Sequence, residues 1–282
     1  MRLIDAIDAW VERLHSTHME STISSYRESA LKFEEWLRGG GEASTTDLNV
    51  VMLEDFDDHL RKNGIAMSSR QRSFYALSSL FSFLRRRGHQ ITEIEPASRP
   101  RGIVPRREPI PKDAISNIVT GEKDHMYKAF FSALAGTGAR LGEILTLDAD
   151  DVDLEQRTIS IHGEKNSGIR EIPLPPATMK ILRDYIENHK RNANEGNPLF
   201  VTRVGSRLSE RSARTGWKKA LERIGKDGKF CMHQIRHRYG TDVVSNGGVD
   251  IGQAILGHKS PASTLRYCHP SMKKMRDVVE NL

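Results

Sequence analysis

The sequence predicts a mainly α-helical protein of two domains, the second carrying a small antiparallel sheet. Three observations predict it. Apolar residues recur at helical spacing through most of the chain, a proline- and arginine-rich stretch divides it once, and one later segment alternates apolar and polar residues about a tight turn. With 282 residues, 37% of them hydrophobic and 28% charged, the chain is long enough for two modest cores and too apolar for a disordered tail.

The first domain, residues 1–95, is expected to be all-helical. Its opening, MRLIDAIDAWVERL, is amphipathic and acid-rich and lacks the apolar core of a signal peptide. In SSYRESALKFEEWLRGGG, Tyr26, Ala30, Phe33 and Leu37 fall at helical spacing, and glycines stop the helix. Thr46 to Asn63 suits another helix, ended by Gly64, and Ser68 to Arg87 a last one, ended by Gly88. Residues 96–111, PASRPRGIVPRREPIP, hold five of the eleven prolines and four arginines. Proline removes backbone donors and disfavours helix, so this stretch reads as an extended linker. The second domain, residues 112–282, opens with helical patterns at 111–120 and 124–136. GTGARLGEILTL is a glycine break followed by a helix. RTISIHGEKNSGIREIPLP alternates on both sides of a Gly/Asn/Ser turn, the pattern of a β-hairpin. The remainder reads mostly as helix, with turns at 225–229 and 246–248.

Charge narrows the partners. A net charge of +6 favours an anionic partner, nucleic acid first. Residues 1–60 hold five Lys/Arg against thirteen Asp/Glu, whereas 61–92 hold seven Lys/Arg and no acid. One face of the first domain should therefore repel DNA and the other attract it. Lys62, together with Arg70 and Arg72 near the start of the last helix, is expected to face the phosphates. The linker arginines Arg99, Arg101, Arg106 and Arg107 are expected to lie along the same backbone. Cys231 and Cys268 stand in no metal or redox spacing, which suits a reduced, cytoplasmic setting. No run of about 18 apolar residues exists, so no membrane span is expected.

Familiar cofactor motifs are missing. There is no H-E-x-x-H, no Cys/His cluster with zinc spacing, no Walker loop and no G-x-S-x-G, and GTG at 136–138 lacks the dinucleotide pattern. Neither a metal nor a cofactor is expected. Five short segments hold the candidate chemistry: ARLGE with Arg140, HGEKNSGIREIPL with Lys165, HQIRH with His233 and Arg236, LGHK with His258, and TLRYCH with Tyr267. Each is a common surface or core feature by itself; their order and spacing carry the signal.

From His233 to His269 the chain resembles the signature of the tyrosine recombinase (phage integrase) family. That signature has His-x-x-Arg-His, then Leu-Gly-His, then a tyrosine; here Arg236 to His258 is 22 residues and His258 to Tyr267 is 9. The family's upstream Thr-Gly-x-Arg-x-x-Glu matches Thr137, Gly138, Arg140 and Glu143. Lys165 stands eight residues before Pro173, with Arg170 between, as the family's hairpin lysine does. Where the family commonly has glycine on both sides of that lysine, this chain has Glu164 and Asn166. Thr22, Tyr26, Phe33, Trp36 and Leu37 resemble the family's N-terminal pattern.

The resemblance implies an N-terminal core-binding domain, a C-terminal α+β catalytic domain, and cleavage and rejoining of double-stranded DNA at a specific site through a 3′-phosphotyrosine. It implies Tyr267 as nucleophile, Arg140 and Arg236 as phosphate clamps, His233 as base, Lys165 as donor to the leaving oxygen and His258 as donor to a non-bridging oxygen. Guanidiniums suit the clamp because they are permanently charged, planar and bidentate. It further implies a tetramer on DNA, of integrase or dimer-resolving type. The tail 271–282, apolar at Met272, Met275, Val278, Val279 and Leu282, would dock on a neighbouring subunit or on its own domain. A type IB topoisomerase-like enzyme and a non-catalytic DNA-binding protein are the alternative readings.

Overall fold

The computed structural model describes residues 1–39, 41–46, 48–91, 100, 109–163, 168–258, 260–265 and 267–268. The chain divides into two compact units, Met1–Arg106 and Arg107–Leu282. The division falls within the stretch expected to be the linker. Arg99, Arg101, Arg106, Arg107, Lys165 and the tail 271–282 lie outside the described residues.

The described residues of the first unit form four helices: α1 (Leu3–Leu14), α2 (Glu20–Arg38), α3 (Val51–Lys62) and α4 (Met67–Arg86). Their apolar stripes face one another. Leu3, Ile7 and Trp10 of α1, Phe33 of α2, Phe56 of α3 and Leu77, Leu80 and Phe81 of α4 are all buried. Phe33 stands edge-on to Phe56 with ring centroids 5.2 Å apart. The helix expected from Thr46 begins instead at Val51. Residues 43–45 are already committed to an antiparallel bridge with the chain start, through Leu3 N–H to Ala43 O (2.9 Å) and Thr45 N–H to Met1 O (3.0 Å). Asn49 then accepts from the Met52 N–H at 3.1 Å, satisfying a free donor at the helix start.

Arg70 does not fit the expectation of a phosphate contact. It is buried, and its guanidinium is held bidentately by Asp57 of α3, which keeps its charge up. The acid thirteen residues upstream claims it, tying α3 to α4. Lys62 and Arg72 are exposed.

The second unit contains α5 (Lys112–Thr120), α6 (His125–Thr137), α7 (Leu141–Leu145), a sheet, α8 (Pro176–Asp184), a π-helical turn (Tyr185–His189), α9 (Glu210–Arg223), α10 (His233–Leu256) and α11 (Pro261–Leu265). The sheet is antiparallel, ordered β1 (Val152–Asp153), β2 (Thr158–His162), β3 (Ile169–Pro173). The expected hairpin is β2–β3, registered from Thr158 opposite Pro173 to His162 opposite Ile169. β1 is too short for periodicity to betray. Ile159, Ile161 and Ile172 turn inward into the core that also holds Phe130, Phe131, Leu182 and Trp217. Residues 190–209 form no helix, against the expectation of a mostly helical remainder. Asn192, Asn194, Gly196, Asn197 and Pro198 break it, and isolated bridges Asp148–Pro198 and Val201–Arg207 hold it. Gly248, at φ 89° and ψ 175°, interrupts α10 where a turn was expected.

Candidate active site

The site grows from two helix ends. α6 stops at Thr137 because Gly138 takes the left-handed conformation (φ 60°), which also leaves room for the Tyr239 ring. α10 stops at Leu256, with Gly257 left-handed at φ 64°. The last carbonyls of a helix lack partners and carry the negative end of its dipole. Arg236, near the start of α10, sits between these two ends. It donates from Nη1 to Gly138 O (2.7 Å), and from Nη2 to Leu256 O (2.8 Å) and to His258 Nε2 (3.0 Å). Only 3% of it is exposed. Burial first, and the Arg140 charge second, push its pKa down to about 10, opposed by Tyr267 and Glu143. It remains a cation at neutral pH.

Arg140 precedes α7. Its backbone N–H donates to Glu143 Oε2 (2.8 Å) and its Nη1 to Oε1 (2.8 Å). Arg170 of β3 grips the same carboxylate with both ends, Nη1 to Oε1 at 3.2 Å and Nη2 to Oε2 at 2.6 Å, and sends Nε to Ile255 O at 2.9 Å. The Glu143 side chain is wholly buried. Burial alone would raise its pKa, but the bonds from Arg170 and Arg140 outweigh it and hold the carboxyl below the usual range. Two guanidiniums thus share one carboxylate, and Arg236 adds a third positive charge nearby, leaving net positive charge.

Tyr267 lies against this cluster. It is 2% exposed, its ring parallel to His258 (centroids 5.9 Å, planes 6° apart) and edge-on to His237 (5.3 Å). The ring rests on Gly240, where an added Cβ would stand 3.1 Å from Cδ1 and Cε1. α11 sets the alignment: Tyr267 N–H donates to Thr264 O (2.9 Å), and Thr264 Oγ1 meets His258 Nδ1 at 2.8 Å. His233 is exposed and stands edge-on to His237 at 5.1 Å. Arg140, His233, Arg236, His258 and Tyr267, dispersed over 128 residues, therefore gather at one place. The Lys165 expectation lies outside the described residues.

Residues 111–274 match the phage integrase family, and residues 7–88 match the phage integrase N-terminal SAM-like domain. The chain belongs to the phage integrase (tyrosine recombinase) family. It is 28% identical to tyrosine recombinase XerD of Corynebacterium glutamicum, with 92% of this chain and 90% of the relative covered. It is 26% identical to tyrosine recombinase XerC of Pseudomonas aeruginosa, with 97% and 93% covered. In fold it is similar to the Tn1549 transposon integrase, solved in complex with transposon right end DNA, at TM-score 0.82 and 17% identity over 100% and 99% of the two chains.

Sequence reasoning left four groups of this recombinase site without a part. Glu143 and Arg170 were seen as matches to the family pattern, without their mutual grip. His237 and Thr264 had no assigned part. Their signal was faint: an acid one turn after Arg140, and an arginine at the end of a strand. Among the described residues, one group could be considered for a metal, His125, Asp184 and His189. It is a poor ligand set. The two imidazoles stack face to face with centroids 3.5 Å apart, so a shared ion would lie between the ring planes, whereas the nitrogen lone pairs point within them. No described helix is long and apolar enough to cross a membrane.

Proposed function

We propose that this recombinase cuts and rejoins double-stranded DNA at a specific site, with Tyr267 as the nucleophile. One observation carries the reading: within a single chain, the Tyr267 ring is buried beside the Arg236 guanidinium and parallel to His258. A phosphodiester repels nucleophiles by its negative charge, and more charge spreads onto the non-bridging oxygens in the transition state. Arg140 and Arg236 supply fixed positive charge there, as a divalent ion does in many phosphoryl-transfer sites. The Tyr267 oxygen forms a bond to phosphorus as the bond to the 5′ oxygen breaks. His233 takes the phenolic proton, Lys165 gives one to the leaving oxygen, and His258 donates to a non-bridging oxygen. A 5′ hydroxyl from another strand then attacks the 3′-phosphotyrosine and restores a phosphodiester of similar energy.

Exposed Lys62 and Arg72, and the linker arginines, are proposed to meet the phosphates. The full reaction is assigned to a tetramer; whether recombination needs the segment 271–282 is tested by deleting it. The lengths shared with the XerD and XerC relatives favour a Xer-like or simple integrase type. The decisive experiment uses nicked suicide duplexes selected by covalent capture from a randomised library. Wild type should trap a protein–DNA adduct without magnesium, while Tyr267→Phe binds and does not trap. Equal trapping by both, or strict magnesium dependence, overturns the reading.

A further inference from the structure

We infer that Arg170 is a positioning residue that keeps Glu143 from capturing Arg140, so that the Arg140 guanidinium stays available to the scissile phosphate. The inference rests on the function proposed above and assigns a part to a residue outside the six expected ones.

The geometry is a competition for one buried carboxylate. Glu143 offers two oxygens and is wholly buried, so both need donors. Arg170 satisfies them as a fork, Nη1 to Oε1 and Nη2 to Oε2, the arrangement that guanidinium and carboxylate favour. Arg140 then makes a single side-chain bond, Nη1 to Oε1, and its other guanidinium nitrogens have no bond among the described residues. Exposure follows the same division: 13% of the Arg170 side chain is exposed against 36% of Arg140. Arg170 is itself locked in place. Its Nε donates to Ile255 O at the end of α10, and its guanidinium lies against Gly257, where an added Cβ would stand 3.1 Å from Nη1. It cannot move toward a substrate without leaving that helix end and Glu143. Among the described residues, the Arg140 guanidinium has no such second anchor.

Without Arg170, Glu143 would keep its charge or its burial but not its partner. The nearest replacement fork is Arg140, already bonded to it by side chain and backbone. Capture would turn the clamp inward. A purely structural role predicts that further damage to the pair makes matters worse. Competition predicts the reverse, because a neutral amide at 143 has no hold on Arg140 comparable to a carboxylate.

The test is single-turnover trapping on the captured suicide duplexes, with folding checked by thermal melting and affinity by gel shift, for wild type, Arg170→Gln, Glu143→Gln and the double variant. Arg170→Gln should trap 10²-fold or more slowly, roughly the effect of losing one charge-stabilising donor, with duplex affinity within a few-fold of wild type. The double variant should recover at least about ten-fold over Arg170→Gln, a coupling that contacting residues show. Arg170→Lys, which lacks the fork, should stay close to Arg170→Gln. If folded Arg170→Gln traps as fast as wild type, or the double variant is no faster than the single, the inference fails while the nucleophile assignment stands. If wild type traps nothing, both fail.

Discussion

Gly138→Ala tests whether the backbone at the end of α6 builds the site. Gly138 has φ 60°, and its carbonyl accepts from Arg236 Nη1 at 2.7 Å. Alanine in that left-handed conformation costs about 1 kcal/mol. The new Cβ would also stand 2.3 Å from Tyr239 Cδ1 and 2.7 Å from Cγ. Ordinary carbon contacts are about 3.5–4.0 Å, so the ring must retreat by more than about 1 Å. Overpacking of that kind costs about 1–3 kcal/mol. The total, about 2–4 kcal/mol, lowers the melting temperature of the second unit by roughly 5–15 °C. Gly225→Ala isolates the backbone part. Gly225 has φ 65° and nothing within 4 Å of an added Cβ, so that change should cost about 1 kcal/mol. Calorimetry on the full chain reads both melting temperatures, and suicide-duplex trapping reads the site. Trapping by Gly138→Ala should fall more than its affinity for the duplex, because the displaced carbonyl no longer fixes Arg236. Equal melting temperatures for the two variants would refute the clash, and unchanged trapping would refute the link to Arg236.

Three further outcomes follow from the charged side chains. Arg170 and Arg140 hold the Glu143 carboxyl below its ordinary value, so its contribution is complete above that value and lost as pH falls through the lower folded one. Urea melts from pH 7 to pH 3 should show wild type losing stability in acid more steeply than Glu143→Gln; parallel curves would mean that the carboxyl is not so held. Arg70→Ala strips the partner from a largely buried Asp57 and should cost about 1–3 kcal/mol in the first unit without changing the salt dependence of DNA binding. Arg72→Ala should leave stability unchanged and reduce the slope of log K against log salt by about one. The opposite pattern would return Arg70 to the DNA face.

Reading the sequence succeeded where local chemistry decides. Helical spacing exposed α2, α4, α5 and α6, and alternation about a turn exposed β2–β3, because in each the buried face repeats with the period of the element. The start of α3 failed because Ser44 and Thr45 pair with Met1 and Arg2, some 43 residues away, and no window spans that distance. Arg70 failed for the same reason: its charge pattern points outward, and only the fold shows Asp57 waiting beneath it. Spacing against a family pattern pointed to Arg140, His233, Arg236, His258 and Tyr267, which the fold brings together, whereas the Arg170–Glu143 grip was not legible, since it joins a strand to a short helix across 27 residues.

The contact between Arg236 and His258 bears on how the site would receive a phosphate. A guanidinium nitrogen has only protons to offer, so in the Arg236 Nη2–His258 Nε2 bond the imidazole nitrogen accepts. An accepting Nε2 carries no proton. The ring is then the neutral Nδ1–H tautomer, donating to Thr264 Oγ1. In that state His258 has nothing to give a non-bridging oxygen from Nε2, although the ring already lies parallel to Tyr267. Phosphate can release it in a single exchange. We propose that an entering phosphate oxygen accepts the hydrogen bond that Arg236 Nη2 now gives to Nε2, and that Nε2, freed beside an anion, takes a proton from solvent and donates it to the same phosphate in a hydrogen bond. The exchange would leave the bonds from Arg236 to Gly138 O and Leu256 O in place, so that the clamp would stay fixed while the histidine switched from acceptor to donor.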